Sequence, residues 1–248
     1  ARENAPCYLY EYDVMKAQVE TLRQTFPHYD LLYSIKANPF PPVVRALAAL
    51  GLGADAASAP EVLLSRKCGM AKKDIFFSAA GKSDAALEAA WDEGEIIADS
   101  LGEVARIGAL CRRKGQRRAI GVRMNPAFGM GGGAGTSSKF GVNEEELPQL
   151  KALLDDLPVT VEGIHVHLKS QNLDADVLGG CYRDSWALAK RVQAALDCEM
   201  RYVNFGSGVG VAYDAAFEQP MNLARLRTYT DAIAADNDAT WKARLMIE

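Results

Sequence analysis

Eight short apolar or β-branched runs recur along the chain, most of them followed by a stretch rich in Ala, Leu and charge, and this alternation limits the fold more than any other feature. The runs are LLYSIKA from Leu31, GLGADAAS from Gly51, DIFFSAA from Asp74, EIIADS from Glu95, AIGVRMNP from Ala119, VEGIHVHL from Val161, YVNFGSG from Tyr202 and RLMIE from Arg244. Strand alternating with helix implies a parallel sheet. Eight such units in 248 residues match a closed α/β barrel of the (β/α)8, TIM type, whereas a doubly wound sheet more often uses roughly five to seven strands. The expectation is one barrel domain over residues 1–248. Pro41 and Pro42 suit a helix start, and Ser83 can cap a helix that Gly94 ends. The segment from Ala5 to Phe26 reads as an extended run and a helix that flanks the barrel. The chain reaches Glu248 without a helix to cover the eighth strand, so that strand is expected to be exposed and a further part of the protein to be missing.

In such a barrel the active site is built from the C-terminal ends of the strands. The first strand ends in YSIKANP, where apolar and small neighbours are expected to desolvate Lys36, lower its pKa and free its amine for Schiff-base chemistry. The sixth ends in HVHLKSQ, and residues two apart share a face, so His165 and His167 should both point inward. The seventh ends in FGSGVG, whose small residues let backbone N–H groups approach an anion. It fails the dinucleotide pattern G-x-G-x-x-G at Val211, and AAGKSD fails the P-loop pattern at Phe76. FGMGGGAGTSSKFG, after the fifth strand, is the one long irregular loop and a candidate ligand loop.

Composition narrows the partners. Lys plus Arg (28) against Asp plus Glu (32) leaves a net charge of -4, without the basic excess that nucleic acid or a membrane surface would attract. No apolar run approaches the roughly 18 residues of a membrane span. The five cysteines include no C-x-x-C pair, which favours neither a disulfide framework nor a zinc site and fits a reducing cytoplasm.

Together these segments resemble the fold-type III pyridoxal-phosphate decarboxylases, the group of diaminopimelate, ornithine and arginine decarboxylases, along the whole chain. YSIKANP resembles the family's lysine segment, which implies that Lys36 carries pyridoxal 5'-phosphate as a Schiff base. GADAASAPEV resembles the second-strand segment, with Asp55, Ser58 and Glu61; RMNP and SSKFG follow in the family's order, bringing in Arg123, Asn125 and Lys139. The resemblance further implies that His167 stacks on the pyridine ring and Ser170 bonds the phosphate. It also implies that Gly206, Ser207 and Gly208 cradle the phosphate and that Glu248 pairs with the pyridine nitrogen. Lys36, His167 and Glu248 are then the catalytic set. Lys169 stands where the family has Gly, and Ser207 replaces the middle glycine of its G-G-G turn.

The implied activity is decarboxylation of a small amino acid, diaminopimelate first because the Ser-Gln ending of HVHLKSQ is closer to those enzymes than to ornithine decarboxylase, in a cytoplasmic homodimer completed by a C-terminal β domain. A decarboxylase of a siderophore or other specialised pathway, and a non-catalytic cofactor-carrying barrel, are the alternatives. A metallohydrolase reading of His165 and His167 would need Asp55 or Asp99 as a further ligand; no metal is expected.

Overall fold

The computed structural model describes residues 6–135, 138–214, 216 and 218–248. Ala5, at the start of the N-terminal flank, and Thr136 and Ser137, in the glycine-rich loop, lie outside the described residues.

Eight parallel strands close into a barrel: β1 (Asp30–Ser34), β2 (Gly53–Ala56), β3 (Ile75–Phe77), β4 (Glu95–Ala98), β5 (Arg118–Asn125), β7 (Val159–His165), β8 (Tyr202–Asn204) and β9 (Arg244–Ile247). Pairing of Ile97 with Gly121 and Ala98 with Val122 joins β4 to β5 and completes the ring. A two-residue strand, β6 (Val142–Asn143), adds to β5 outside it and escaped the sequence pattern. All eight expected runs are barrel strands. They read as apolar runs because the strands of a parallel barrel are buried on both faces.

The helices are α1 (Tyr12–Thr25), α2 (Pro41–Ala49), α3 (Ala59–Lys67), α4 (Asp84–Ala90), α5 (Leu101–Lys114), α6 (Leu147–Asp156), α7 (Ala175–Leu196) and α8 (Leu223–Thr240). Local chemistry sets their starts. Ser58, Ser83, Ser100, Asp174 and Asn222 each accept a backbone N–H of the first turn. The α4 helix ends at Ala90, short of Gly94, whereas α5 ends at Gly115 in the left-handed region, φ 61°.

The outer core lies between strands and helices, and a second cluster of Leu32, Phe76, Ile97, Tyr202 and Met246 plugs the barrel interior. Tyr202 needs room there. A Cβ on Gly121 or Gly163 would collide with its ring, so glycine at both positions lets the phenol lie across the barrel. The eighth strand is not exposed as expected: Leu245, Met246 and Ile247 are all buried. The helix α1 packs on α8, and its Val19 belongs to the same apolar cluster as Leu245 and Ile247.

Candidate active site

Above the apolar plug, each of the eight barrel strands has a polar residue at or near its end. Ser34, His165 and Asn204 close their strands, Asp55 and Arg123 stand one and two residues before the ends of theirs, and Ser78, Asp99 and Glu248 follow theirs by one. Asp55, Ser78, Asp99, His165 and Asn204 are buried. Burying so many polar groups is costly unless they pair or meet a ligand.

Lys36 sits in a 3-10 turn, Ile35–Ala37, just after β1. Its side chain is 59% exposed, so the desolvation expected of it is absent: the strand ends below the lysine, which stands at the mouth. The amine lies 3.6 Å from Asp55 Oδ2. Ser34 donates to Asp55 Oδ2 at 3.0 Å and Ser78 donates to Oδ1. Burial pushes the Asp55 carboxyl up and the Glu248 charge adds to this, against the opposing pull of His165, Ser78 and Lys36.

Glu248 faces two imidazoles. His165 Nε2 lies 3.3 Å and His167 Nδ1 3.1 Å from the same oxygen, Oε1. Burial alone would raise this carboxyl, but the two histidines outweigh it and hold it well below the usual carboxylate range. Two carboxyls across one barrel mouth are thereby pushed apart, Asp55 up and Glu248 down, the pattern that separates acid from base roles. The second oxygen, Glu248 Oε2, is buried and has no hydrogen-bond partner. His167 is completed by Ser170, whose Oγ lies 3.3 Å from Nε2.

The loop after β8 crosses this group closely. Gly206 has φ 63°, and a Cβ on it would lie 2.5 Å from Val166 O; Gly208 has φ 128°, with Lys169 O 2.8 Å from the corresponding point. The Gly206 N–H is already donated to Asn204 Oδ1 at 2.8 Å. It therefore holds the loop's shape, contrary to the expectation that it donates outward to an anion. Across the mouth, Arg123 lies 3.7 Å from Asp99 Oδ1, donates to the His167 carbonyl at 3.4 Å and stacks 4.9 Å from the Phe140 ring.

Other expected residues serve the scaffold. Ser58 caps α3, and the Glu61 side chain accepts the Ala57 N–H at 2.7 Å. Asn125 donates to Asn143 Oδ1 at 2.8 Å, tying β5 to β6, and Lys139 is exposed beside Phe140. Lys82, from the failed P-loop pattern, is buried against Glu103. Sequence reasoning missed Ser34, Ser78 and Asn204. Their only signal was a polar residue at the same height in successive strands.

The two histidines do find a carboxylate, but it is Glu248, not Asp55 or Asp99 as the metal reading required; the three ligand atoms lie within 4.8 Å of one another. A metal-ligating histidine nearly always donates its other nitrogen to an acceptor. His165 Nδ1 has no partner.

The family described as pyridoxal-dependent decarboxylase, pyridoxal binding domain, matches residues 12–247. The chain belongs to this family. Among relatives, the L-glutamyl-[BtrI acyl-carrier protein] decarboxylase of Niallia circulans is 30% identical over 246 residues, 96% of this chain and 57% of that protein. The diaminopimelate decarboxylase of Aquifex aeolicus is 28% identical over 87% of this chain and 53% of its own length. The chain thus spans between about half and three fifths of these relatives. Diaminopimelate decarboxylase from Helicobacter pylori, solved with L-lysine, superposes with a TM-score of 0.86 at 24% identity, over 99% of this chain and 63% of that one. Ornithine decarboxylase from Entamoeba histolytica gives 0.72 at 21%, over 96% and 63%. These likenesses establish the barrel; the family match establishes pyridoxal phosphate as the cofactor.

The residues present fit that group. Glu248 Oε2 is a buried acceptor without a donor, and the glycine loop leaves no Cβ where Val166 and Lys169 approach it. Lys36 offers an exposed amine at the same mouth.

Proposed function

We propose that the whole protein decarboxylates a small amino acid, with Lys36 carrying pyridoxal phosphate covalently through its ε-amine. The observation that carries this reading is the partnerless Oε2 of an ionised, buried Glu248 on the polar end of a pyridoxal-binding barrel. The bound cofactor supplies an electron sink that lets the bond from Cα to the carboxylate break. The chain's residues do the rest. Glu248 Oε2 would accept the ring N–H, and its charge would favour that nitrogen's protonated form. Asp55, 3.6 Å from the lysine amine, steadies Lys36 when it is charged, and Lys36 returns a proton to the substrate carbon. His167 would lie against the cofactor ring. The N–H groups of Ser207 and Gly208, with the Ser170 hydroxyl, would hold the phosphate, while Arg123 fixes the His167 backbone through its carbonyl.

Diaminopimelate is the first substrate reading, on the HVHLKSQ segment and the Aquifex relative. A carrier-protein-linked amino acid is the second, favoured by the Niallia relative that aligns over 96% of this chain. We read the whole protein as a cytoplasmic homodimer. Among the described residues all five cysteines are unpaired, and no helix is long and apolar enough to cross a membrane.

Borohydride reduction followed by peptide mapping tests the assignment: the label is expected on the Lys36 peptide and is expected to vanish in Lys36→Ala. A label on another lysine overturns it. Carbon dioxide release should then be measured from meso-diaminopimelate, lysine, ornithine, arginine and a glutamyl carrier-protein thioester. Release from one of these supports decarboxylation; release from none by the fully loaded protein favours the cofactor-carrying alternative.

A further inference from the structure

We propose that His165 is a positioning residue that fixes which oxygen of Glu248 faces the cofactor. This rests on the reading that Glu248 receives the ring nitrogen. His165 and His167 converge on Oε1, at 3.3 and 3.1 Å, and leave Oε2 bare. A carboxylate held by one donor can swing about its terminal torsion, which is broad and roughly two-fold. Two donors from different heights on the same strand end remove that freedom.

The hydrogen inventory supports a donor role for His165. Its Nδ1 is buried without a partner, and an orphaned acceptor is tolerated better than an orphaned N–H, so the proton belongs on Nε2, facing Glu248. His167 cannot do this alone. Its side chain is 24% exposed and its other nitrogen meets Ser170, whereas the His165 side chain is 3% exposed and has no second partner. The charged groups around His165 are Glu248, Asp55 and Asp99, with Lys36 and Arg123 behind the two aspartates. Without the His165 donor, a buried Glu248 beside Asp55 would face burial and a like charge with one hydrogen bond fewer. Protonation or rotation of Glu248 would then remove the acceptor from the ring nitrogen.

The test uses the whole protein with His165→Leu, His165→Gln and His165→Asn. The Gln amide reaches the place of Nε2, whereas the shorter Asn amide reaches only that of Nδ1. Cofactor affinity by absorbance titration and the pH dependence of the bound cofactor's visible absorption are measured beside melting temperature. We expect His165→Leu and His165→Asn to weaken cofactor binding by about tenfold, the scale of one hydrogen bond to a charged group, and to shift the absorption profile. His165→Gln should restore both. If His165→Leu fails to fold, the contrast between Gln and Asn still decides. Wild-type affinity and profile in a folded His165→Leu, or Gln no better than Asn at equal melting temperature, overturns the proposal while leaving the cofactor on Lys36 intact. Stoichiometric zinc bound by the cofactor-free wild type and lost in every variant also overturns it, by making His165 a ligand. Failure of the wild type to load cofactor on Lys36 overturns this inference together with the reading beneath it.

Discussion

Lys82 and Glu103 form the most deeply buried ion pair among the described residues, with side chains 0% and 1% exposed and 2.9 Å between Nζ and Oε1. The ammonium also donates to the carbonyls of Ala79 and Ile97, each at 2.6 Å, and Glu103 Oε2 accepts the Asp99 N–H at 2.9 Å. Burial pushes the Lys82 amine down and Glu103 opposes it, so the two charges depend on one another. Replacing Glu103 with Leu leaves an ammonium among two neutral oxygens, at a cost of about 3–5 kcal/mol. Lys82→Met strands the carboxylate and should cost a similar amount. The double variant removes both charges and leaves only neutral groups, the Asp99 N–H and two carbonyls, to find other partners, at about 1–3 kcal/mol for each that finds none; the single variants lose the same bonds, so these costs cancel in the cycle. Urea unfolding of the four proteins at fixed cofactor occupancy gives the coupling energy directly. The expected result is a double variant better than the sum of the singles by about 2–3 kcal/mol, the upper part of the range for residues in one network. Additive losses, or a Glu103→Leu penalty below about 1 kcal/mol, the range of an exposed pair, would refute the argument.

The plug and the mouth yield two further predictions. Gly163→Ala drives a methyl into the Tyr202 ring and should destabilise the barrel by about 1–3 kcal/mol in urea unfolding, whereas Tyr202→Phe should be near neutral because its hydroxyl is buried without a partner; a neutral Gly163→Ala would sink this packing account. Because the folded-state pKa of Glu248 is depressed, its contribution to stability is present above the ordinary carboxylate range and is lost as pH falls through that range and below it. Glu248→Gln should therefore be less stable than wild type at neutral pH, with the gap closing on acidification; a gap that widens at low pH would contradict the sign.

The fold was legible because a parallel-barrel strand is buried on both sides and declares itself by apolar composition alone, one run per unit. What stayed hidden depends on height along the barrel axis. Lys36 was read as desolvated because its neighbours in sequence are apolar, yet one turn beyond the strand end places it at the rim. Gly121 and Gly163 carry no meaning until Tyr202, on another strand, is known to lie over them. The partner of His165 is 83 residues away in sequence, so the two-histidine pattern announced an inward-facing pair without revealing which carboxylate it served.

The two ends of the barrel show why the polar end is the reactive one. At the N-terminal end Arg244 pairs with both Asp30, at 2.7 Å, and Asp74, at 2.8 Å, so its charge is answered within the protein. Cavities of about 450 and 420 Å³ open at that end, yet mixed charges or this ion-pair group line them, and the strand ends there serve stability in barrels of this kind. At the C-terminal end His165 Nδ1, Asn204 Nδ2 and Glu248 Oε2 are buried without hydrogen-bond partners. Each unanswered group costs about 1–3 kcal/mol. A ligand seated at the end where barrel active sites lie would answer part of this cluster. Glu248 Oε2, the one carboxylate oxygen in the cluster whose companion oxygen is already held by two imidazoles, is the atom best prepared to receive a proton-bearing ring nitrogen.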